Sequence, residues 1–284
     1  MGDEGNPDLG GQMRKVRTTL LLLLISCGAY GAAPFDSPVK IKRVDLGITP
    51  DIPSNGRAKV SCFYFESFMV KEVDLREKGA AQLSILPIAK GAKYPSCAKE
   101  NIPGEMVIPG DQWSGYFKGV KSYYVFFDPD DGYNGATGFA VFDARSGKKL
   151  FEDDTEDGVI RSITLEGSAI KLHYRRAFRA RCSILKDGMT CWASIRDNVT
   201  THPAPMPDCL AAFHKEHVAM AKDNCRGQRP GEANCIQREI MERDNNPEWL
   251  SSQAMIGYNV EAVYDGSKLN FTPREGPLSC WHTD

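Results

Sequence analysis

Nine cysteines constrain the fold of this 284-residue chain more than any other feature. Cys27 lies in an N-terminal segment with the character of an export signal, and its removal or lipidation leaves eight, an even number. An even set of cysteines behind an export signal is typical of a disulfide framework. Metal binding is the less favoured alternative, because the shortest spacing, Cys182 to Cys191, is longer than that of the usual zinc pairs. The other six candidates are Cys62, Cys97, Cys209, Cys225, Cys235 and Cys280.

Residues 1–33 read as an N-terminal extension and export signal. A short basic segment at 13–17 precedes an apolar run at 18–25, and small residues follow, which is the order of a secretory signal. We expect cleavage near Ala32, which would release a soluble periplasmic or secreted protein. The alternative is a bacterial lipobox in which Cys27 is lipidated and anchors the protein. No other apolar run approaches the ~20 residues that a membrane-spanning helix needs, so no transmembrane span is expected in the mature chain.

Residues 34–284 are predicted to form a single β-rich domain. The chain is 42% hydrophobic and 25% charged, as in ordinary globular proteins. Short runs of β-forming residues alternate with clusters of Gly, Pro, Asn and Asp, which favours a mainly β (β-rich α+β) fold built as an antiparallel meander of short strands and hairpins. The formal net charge is −2, from 35 basic and 37 acidic side chains, so no nucleic-acid partner is expected.

The pattern changes over about 205–250, where a helical excursion from the β-structure is predicted. Asp208 is a good N-cap for a helix that runs to about Lys222, and a second helix is expected over about 234–243. Together these form a helical hairpin near the C-terminus. A β-hairpin that turns at Asp265-Gly266 is then expected to rejoin the sheet.

Helix geometry limits how the cysteines can pair. A continuous helix from Cys209 to Cys225 would hold their Cα atoms ~24 Å apart, far beyond the roughly 7 Å that a disulfide allows. Cys225 instead lies close to Cys235 across the predicted interhelical loop. A hairpin is predicted to turn at 186–188, between two further cysteines. The predicted pairs are Cys182–Cys191 and Cys225–Cys235, and the four remaining cysteines are assigned as Cys62–Cys97 and Cys209–Cys280.

The strand predicted around 170–181 carries the most unusual charge pattern in the chain. Because side chains alternate between the faces of a strand, the odd-numbered residues share one face, and that face is basic. Protonation of a histidine in it would add positive charge at low pH. The pattern predicts binding of an anionic ligand, such as a phosphate, an acidic glycan or a lipid headgroup. The alternative is a solvated strand whose charges prevent aggregation. The candidate binding residues are Lys171, His173, Arg175, Arg179 and Arg181.

Other motifs give no catalytic residues, no metal site and no cofactor. His214 and His217 share a predicted helix face but lack the H-E-x-x-H spacing. The acidic segment 153–158 partly matches a calcium loop, yet Thr164 stands where a bidentate Glu is required, and a solvated turn is favoured. The chain has neither a G-x-S-x-G nucleophile motif nor a phosphate-binding glycine loop.

These features favour an exported ligand- or partner-binding protein over an enzyme. The expected partner is an anionic ligand or another envelope protein. Two alternatives stay open: a secreted hydrolase acting on glycan or ester bonds, and a structural envelope protein without a ligand. A pocket with two facing carboxylates, or a buried carboxyl with a raised pKa, would favour the hydrolase, whereas a flat charged surface would favour partner binding.

Overall fold

Two antiparallel sheets form the framework of the part of the chain that the structure, a computed structural model, describes. Strands hold about twice as many residues as helices, and the predicted mainly β, antiparallel fold is confirmed. The described residues are 33–48, 56–132, 136–227 and 231–282. The first sheet runs in chain order through β1 (Lys40–Ile48), β2 (Arg57–Tyr64), β3 (Phe68–Asp74), β4 (Gln82–Pro87) and β5 (Met106–Ile108).

The second sheet is a longer meander. Strands β6 to β12 lie side by side in chain order, and β13 pairs with β11 next to the stretch that β12 occupies. Its strands are β6 (Gly115–Lys121), β7 (Tyr124–Pro129), β8 (Thr137–Asp143), β9 (Lys149–Glu166), β10 (Ala169–Arg179), β11 (Ala254–Tyr264), β12 (Leu269–Pro273) and β13 (Ser279–His282). The predicted final hairpin is β11–β12, and it does rejoin the sheet.

Helices interrupt the chain between β10 and β11, although these two strands pair directly with each other. They are α1 (Ile184–Val199), α2 (Cys209–Asn224), α3 (Glu232–Asp244) and α4 (Pro247–Ser251). Helices α2 and α3 match the predicted helical hairpin. The Asp208 carboxylate caps α2 as expected, because it accepts a hydrogen bond from the backbone N–H of Ala211.

Helix α1 shows that the hairpin predicted around 186–188 is wrong. The buried residues Ile184, Cys191 and Ile195 recur at helical spacing, and burial of this face outweighs the turn preference of Asp-Gly. The Ser183 hydroxyl caps the helix by accepting the N–H of Lys186. Gly188 (φ +48°, ψ −123°) supplies the one non-helical conformation, so the local signal appears as a kink within the helix.

The acidic segment 153–158 is likewise not a turn. It lies inside β9, which is a single strand of 18 residues with register shifts in its pairing. Short segments that the sequence suggests as separate strands, 149–151 and 163–165, are its two ends. Irregular pairing lets one long strand change direction, because a bulge bends the strand and increases its twist.

The second sheet is buried on both faces near β7, where Val125, Phe126 and Phe127 are each 0% exposed. On one face, Val125 and Phe127 contact the first sheet; on the other, Phe126 belongs to the cluster that includes Trp192 of α1 and Phe213 of α2. Burial on both faces explains why β7 is continuously apolar instead of alternating.

Four disulfides join the cysteines in the pairs expected from the sequence. Each has a Cα–Cα distance between 5.2 and 5.8 Å. Four disulfides are consistent with an oxidising, exported location. They are Cys62–Cys97, Cys182–Cys191, Cys209–Cys280 and Cys225–Cys235.

The predicted export signal and the lipidation candidate Cys27 lie outside the described residues. The division into a signal and one domain therefore stays a prediction. Within the part of the chain that the structure describes, no helix has the length and apolar character to cross a membrane.

Candidate functional site

The candidate site lies at the C-terminal end of β10, where this strand is no longer paired with β9. The pairing of β10 with β9 shifts register after His173 and ends at the Arg176–Thr155 pair. Beyond that pair, β10 continues alongside β11 only, as far as Arg179 opposite Met255. The strand end, β9 and helix α1 enclose a pocket of about 790 Å³. This volume is typical of sites for small-molecule ligands.

A disulfide fixes one wall of this pocket. Cys182 directly follows the end of β10, and its bond to Cys191 holds α1 against the strand. Both Cys182 and the α1 residues Ser194 and Asn198 line the pocket. The Cys182–Cys191 disulfide therefore holds together two of the elements that form the pocket.

Arg176 forms the inner wall of the pocket and already has an anionic partner. Its Nε lies 2.8 Å from Asp153 Oδ2 and its Nη2 lies 2.9 Å from Asp153 Oδ1, a bidentate pair. The guanidinium also stacks on Phe271, at 3.6 Å from the ring centre. Burial alone would lower the pKa of Arg176, but the hydrogen bonds that it donates to Asp153 raise this pKa above its ordinary value. The charge of Arg176 is thus neutralised inside the protein.

Arg179, the last residue of β10, and Arg181, two residues further along the chain, also line the pocket. Arg179 Nε donates a hydrogen bond to Gln253 Oε1 at 2.7 Å, a neutral acceptor. Arg181 is exposed and forms no ion pair or hydrogen bond with any described residue. Apolar surface from Phe178 and Ile195 lies beside these two cations.

Asp154 lines the same pocket, and its carboxylate accepts no hydrogen bond from a described residue. The residue keeps exposed surface, but its carboxyl lies over Gly138, where a Cβ atom would stand 3.2 Å from Asp154 Oδ1. Desolvation of this carboxyl, and then the charge of Asp153, raise the pKa of Asp154 above its ordinary value. An unpaired carboxyl and an unpaired guanidinium therefore line one pocket.

The other three predicted binding residues lie outside the pocket and have acidic neighbours on adjacent strands. The contacts are Lys171 Nζ–Glu166 Oε1 at 2.8 Å, His173 Nε2–Glu261 Oε2 at 3.2 Å and Arg175 Nε–Glu156 Oε2 at 2.6 Å. The structure brings only two of the five predicted residues, Arg179 and Arg181, into the pocket. Sequence reasoning missed Asp154 and Asn198, since only the bend of β9 and the helix α1 place them beside β10.

A second polar cleft, of about 610 Å³, lies beside β3. Its Glu72 carboxyl is buried, and burial raises the pKa of Glu72 although the backbone N–H of Phe117 donates a hydrogen bond to it at 2.8 Å. Asp74, two residues along the same strand face, is paired with Arg76 at 3.2 Å and with Lys59 at 3.5 Å. This cleft meets the sequence-based criterion for the hydrolase alternative.

The two histidines of the HKEH segment contact one carboxylate. Nδ1 of His214 and Nδ1 of His217 each lie 2.7 Å from an oxygen of Asp244, which ties α2 to α3. Among the described residues, no three His, Cys, Asp or Glu side chains converge as metal ligands would. The contacts assign the histidines a role in joining the helical hairpin.

Comparison with known proteins does not assign these sites to a family. No family model matches the chain, and no curated protein and no solved structure resembles it at a significant level.

Proposed function

We propose that this protein binds a small anionic ligand in the pocket at the end of β10. The observation that carries the proposal is Arg181, which lines a ligand-sized pocket and has no anionic partner among the described residues. A guanidinium presents a planar set of donors that matches a carboxylate, sulfate or phosphate group. An anionic ligand would give Arg181 the partner that the described residues do not supply.

The other residues that line the pocket favour a ligand that carries polar and apolar groups in addition to its anionic group. Arg179 supplies a second guanidinium, and Ser194 and Asn198 of α1 add neutral hydrogen-bonding groups. Phe178 and Ile195 provide apolar contact for the uncharged part of the ligand. This combination differs from a flat charged surface, so a small-molecule ligand fits it better than a protein partner.

Replacing Arg179 and Arg181 together by Ser tests the proposal. Sulfate binding, measured by isothermal titration calorimetry, should weaken at least tenfold, because charge-assisted hydrogen bonds contribute about 1.5–3 kcal/mol each. Arg226→Ser is the control, since Arg226 is exposed and pairs with Asp223 on the helical hairpin. The proposal fails if the double variant binds sulfate as tightly as the natural protein does.

A hydrolase is the second candidate function, and the Glu72 cleft is the observation that favours it. Burial raises the pKa of the Glu72 carboxyl, which favours the protonated form that can donate to a leaving-group oxygen. The neighbouring Asp74 carboxylate lies between Lys59 and Arg76. The test is release of 4-nitrophenol from 4-nitrophenyl glycosides and esters. Glu72→Gln should abolish release, whereas the exposed Glu66→Gln should leave it unchanged. Absence of release from the whole panel by the natural protein would remove this candidate.

We further propose that the exported protein is periplasmic or secreted after cleavage near Ala32, with lipidation of Cys27 as the alternative. The four disulfides support export without distinguishing these routes. Intact-mass spectrometry of the protein from its native host separates them, because a lipidated N-terminal cysteine adds acyl mass that simple cleavage does not.

A further inference from the structure

The pocket at the end of β10 is lined by two side chains of opposite charge that form no hydrogen bond or ion pair with a described residue. Arg181 has no partner among the described residues, and neither has the Asp154 carboxylate. They do not pair with each other: within the described residues, no hydrogen bond or ion pair joins them. A site for a simple anion would gain nothing from the carboxylate, which repels an anion in the same pocket.

The nearby Asp153 shows what a carboxylate in this pocket does when its role is structural. Asp153 accepts three hydrogen bonds from Arg176 and one from the Tyr174 hydroxyl, and its side chain is 8% exposed. Asp154, the next residue, is left without a donor although it is partly desolvated. Asp154 lines the pocket beside Arg179 and Arg181, so its carboxylate is placed to accept a hydrogen bond from a ligand that binds there.

We infer that the ligand is a bifunctional acid, with an anionic group that binds Arg179 and Arg181 and a hydrogen-bond donor that binds Asp154. The inference rests on the proposed anion binding and narrows the ligand class. The donor is an ammonium in a zwitterion such as a short peptide, or a hydroxyl in a sugar acid. The pocket volume of about 790 Å³ accommodates either kind of molecule.

Isothermal titration calorimetry with matched probes tests the inference. Triglycine and glucuronic acid carry both functions, N-acetyltriglycine keeps the carboxylate without the ammonium, sulfate is an anion alone, and glucose has hydroxyls without an anion. At least one bifunctional probe should bind the natural protein tenfold or more tightly than sulfate does. Tighter binding of triglycine than of N-acetyltriglycine identifies the ammonium as the donor. Tighter binding of glucuronic acid than of glucose and triglycine identifies a sugar acid.

Asp154→Asn should change the affinities in opposite directions. It should weaken the preferred bifunctional probe about tenfold, because an ionic acceptor is replaced by a neutral amide. It should also leave sulfate binding equal or tighter, because a repelling charge is removed. Asp157→Asn is the control, since Asp157 lies on the same strand but pairs with Arg161 outside the pocket.

Failure of this inference differs from failure of the proposed function. If sulfate binds as tightly as both bifunctional probes and Asp154→Asn strengthens every anion, the site is a simple anion site and the inference is overturned. If neither sulfate nor any acid probe binds, the proposed function itself is overturned.

Discussion

The two halves of β10 carry the same basic pattern but differ in what faces it. From Lys171 to Arg175, acidic side chains on β9, on β11 and in the β9–β10 turn region meet each basic residue. After Arg176 the pairing with β9 ends, and the pocket is lined by Arg179, the last residue of β10, and by Arg181 just beyond it. A run of alternating cations is therefore not in itself a binding surface. The neighbouring strands decide which of its charges stay available to a ligand.

Arg176 marks the boundary between these halves. Its side chain is 20% exposed, and it is neutralised by the buried Asp153. The pair forms the inner wall of the pocket and stabilises the fold, whereas Arg181 beyond it has no hydrogen bond or ion pair with a described residue. Each prediction below alters one side of this boundary.

The largest effect is expected for Arg176→Met. Removing the guanidinium leaves Asp153 buried without its cation, which should lower the free energy of unfolding by about 3 kcal/mol. Arg181→Met should change it by less than about 0.5 kcal/mol, because Arg181 contacts no described partner. Urea unfolding followed by circular dichroism measures both. Equal losses would show that the distinction between structural and available arginines is wrong.

A smaller loss is expected when the disulfide at the pocket is removed. Cys182→Ser/Cys191→Ser should lower the free energy of unfolding by roughly 2–3 kcal/mol, from the entropy of a short closed loop in the unfolded chain. The control, Cys225→Ser/Cys235→Ser, opens a loop of nearly the same length, with a sequence separation of 10 against 9. Both variants should lose similar stability, but only the first should weaken sulfate binding. Unchanged binding in the first variant would contradict the role assigned to this disulfide.

The smallest effect concerns Asp154 and depends on pH. The pKa of Asp154 is raised in the folded protein, so its protonated form contributes to stability at low pH. This contribution is lost as the pH rises through the folded pKa. Asp154→Asn should therefore be more stable than the natural protein at pH 7, by less than about 1 kcal/mol because the residue is partly exposed. The difference should vanish below pH 3.8, the ordinary pKa of Asp. Unfolding curves at pH 3 and pH 7 measure it, and a stability loss at pH 7 would contradict the assigned desolvation.

Much of the fold is predictable from the sequence because it depends on local patterns. The Asp208 cap and the helical hairpin follow from capping and periodicity, and the Cys225–Cys235 pair follows from the length of the first helix of that hairpin. Helix α1 is mispredicted because the Asp-Gly dipeptide at 187–188 has a strong turn preference, and only tertiary burial of Trp192 and Ile195 outweighs it.

The candidate site is only partly predictable, since it depends on contacts between distant segments. Strand alternation singles out Arg179 and Arg181, and both line the pocket, although β10 ends at Arg179. It cannot show that Glu156 lies against Arg175, or that a bend in β9 brings Asp154 into the pocket. Those facts depend on strand register, which charge pattern alone does not determine.

The most direct test of the central claim is an NMR titration of the protein with sulfate. Backbone amide shifts should change at 178–182 and 194–198 but not at 171–175. They should disappear in Arg179→Ser/Arg181→Ser and persist in Lys171→Ser/Arg175→Ser, which removes the same charge from the other end of β10. Shifts centred on 171–175, or their loss in the second variant, would contradict the claim that only the pocket end of β10 is available to an anion.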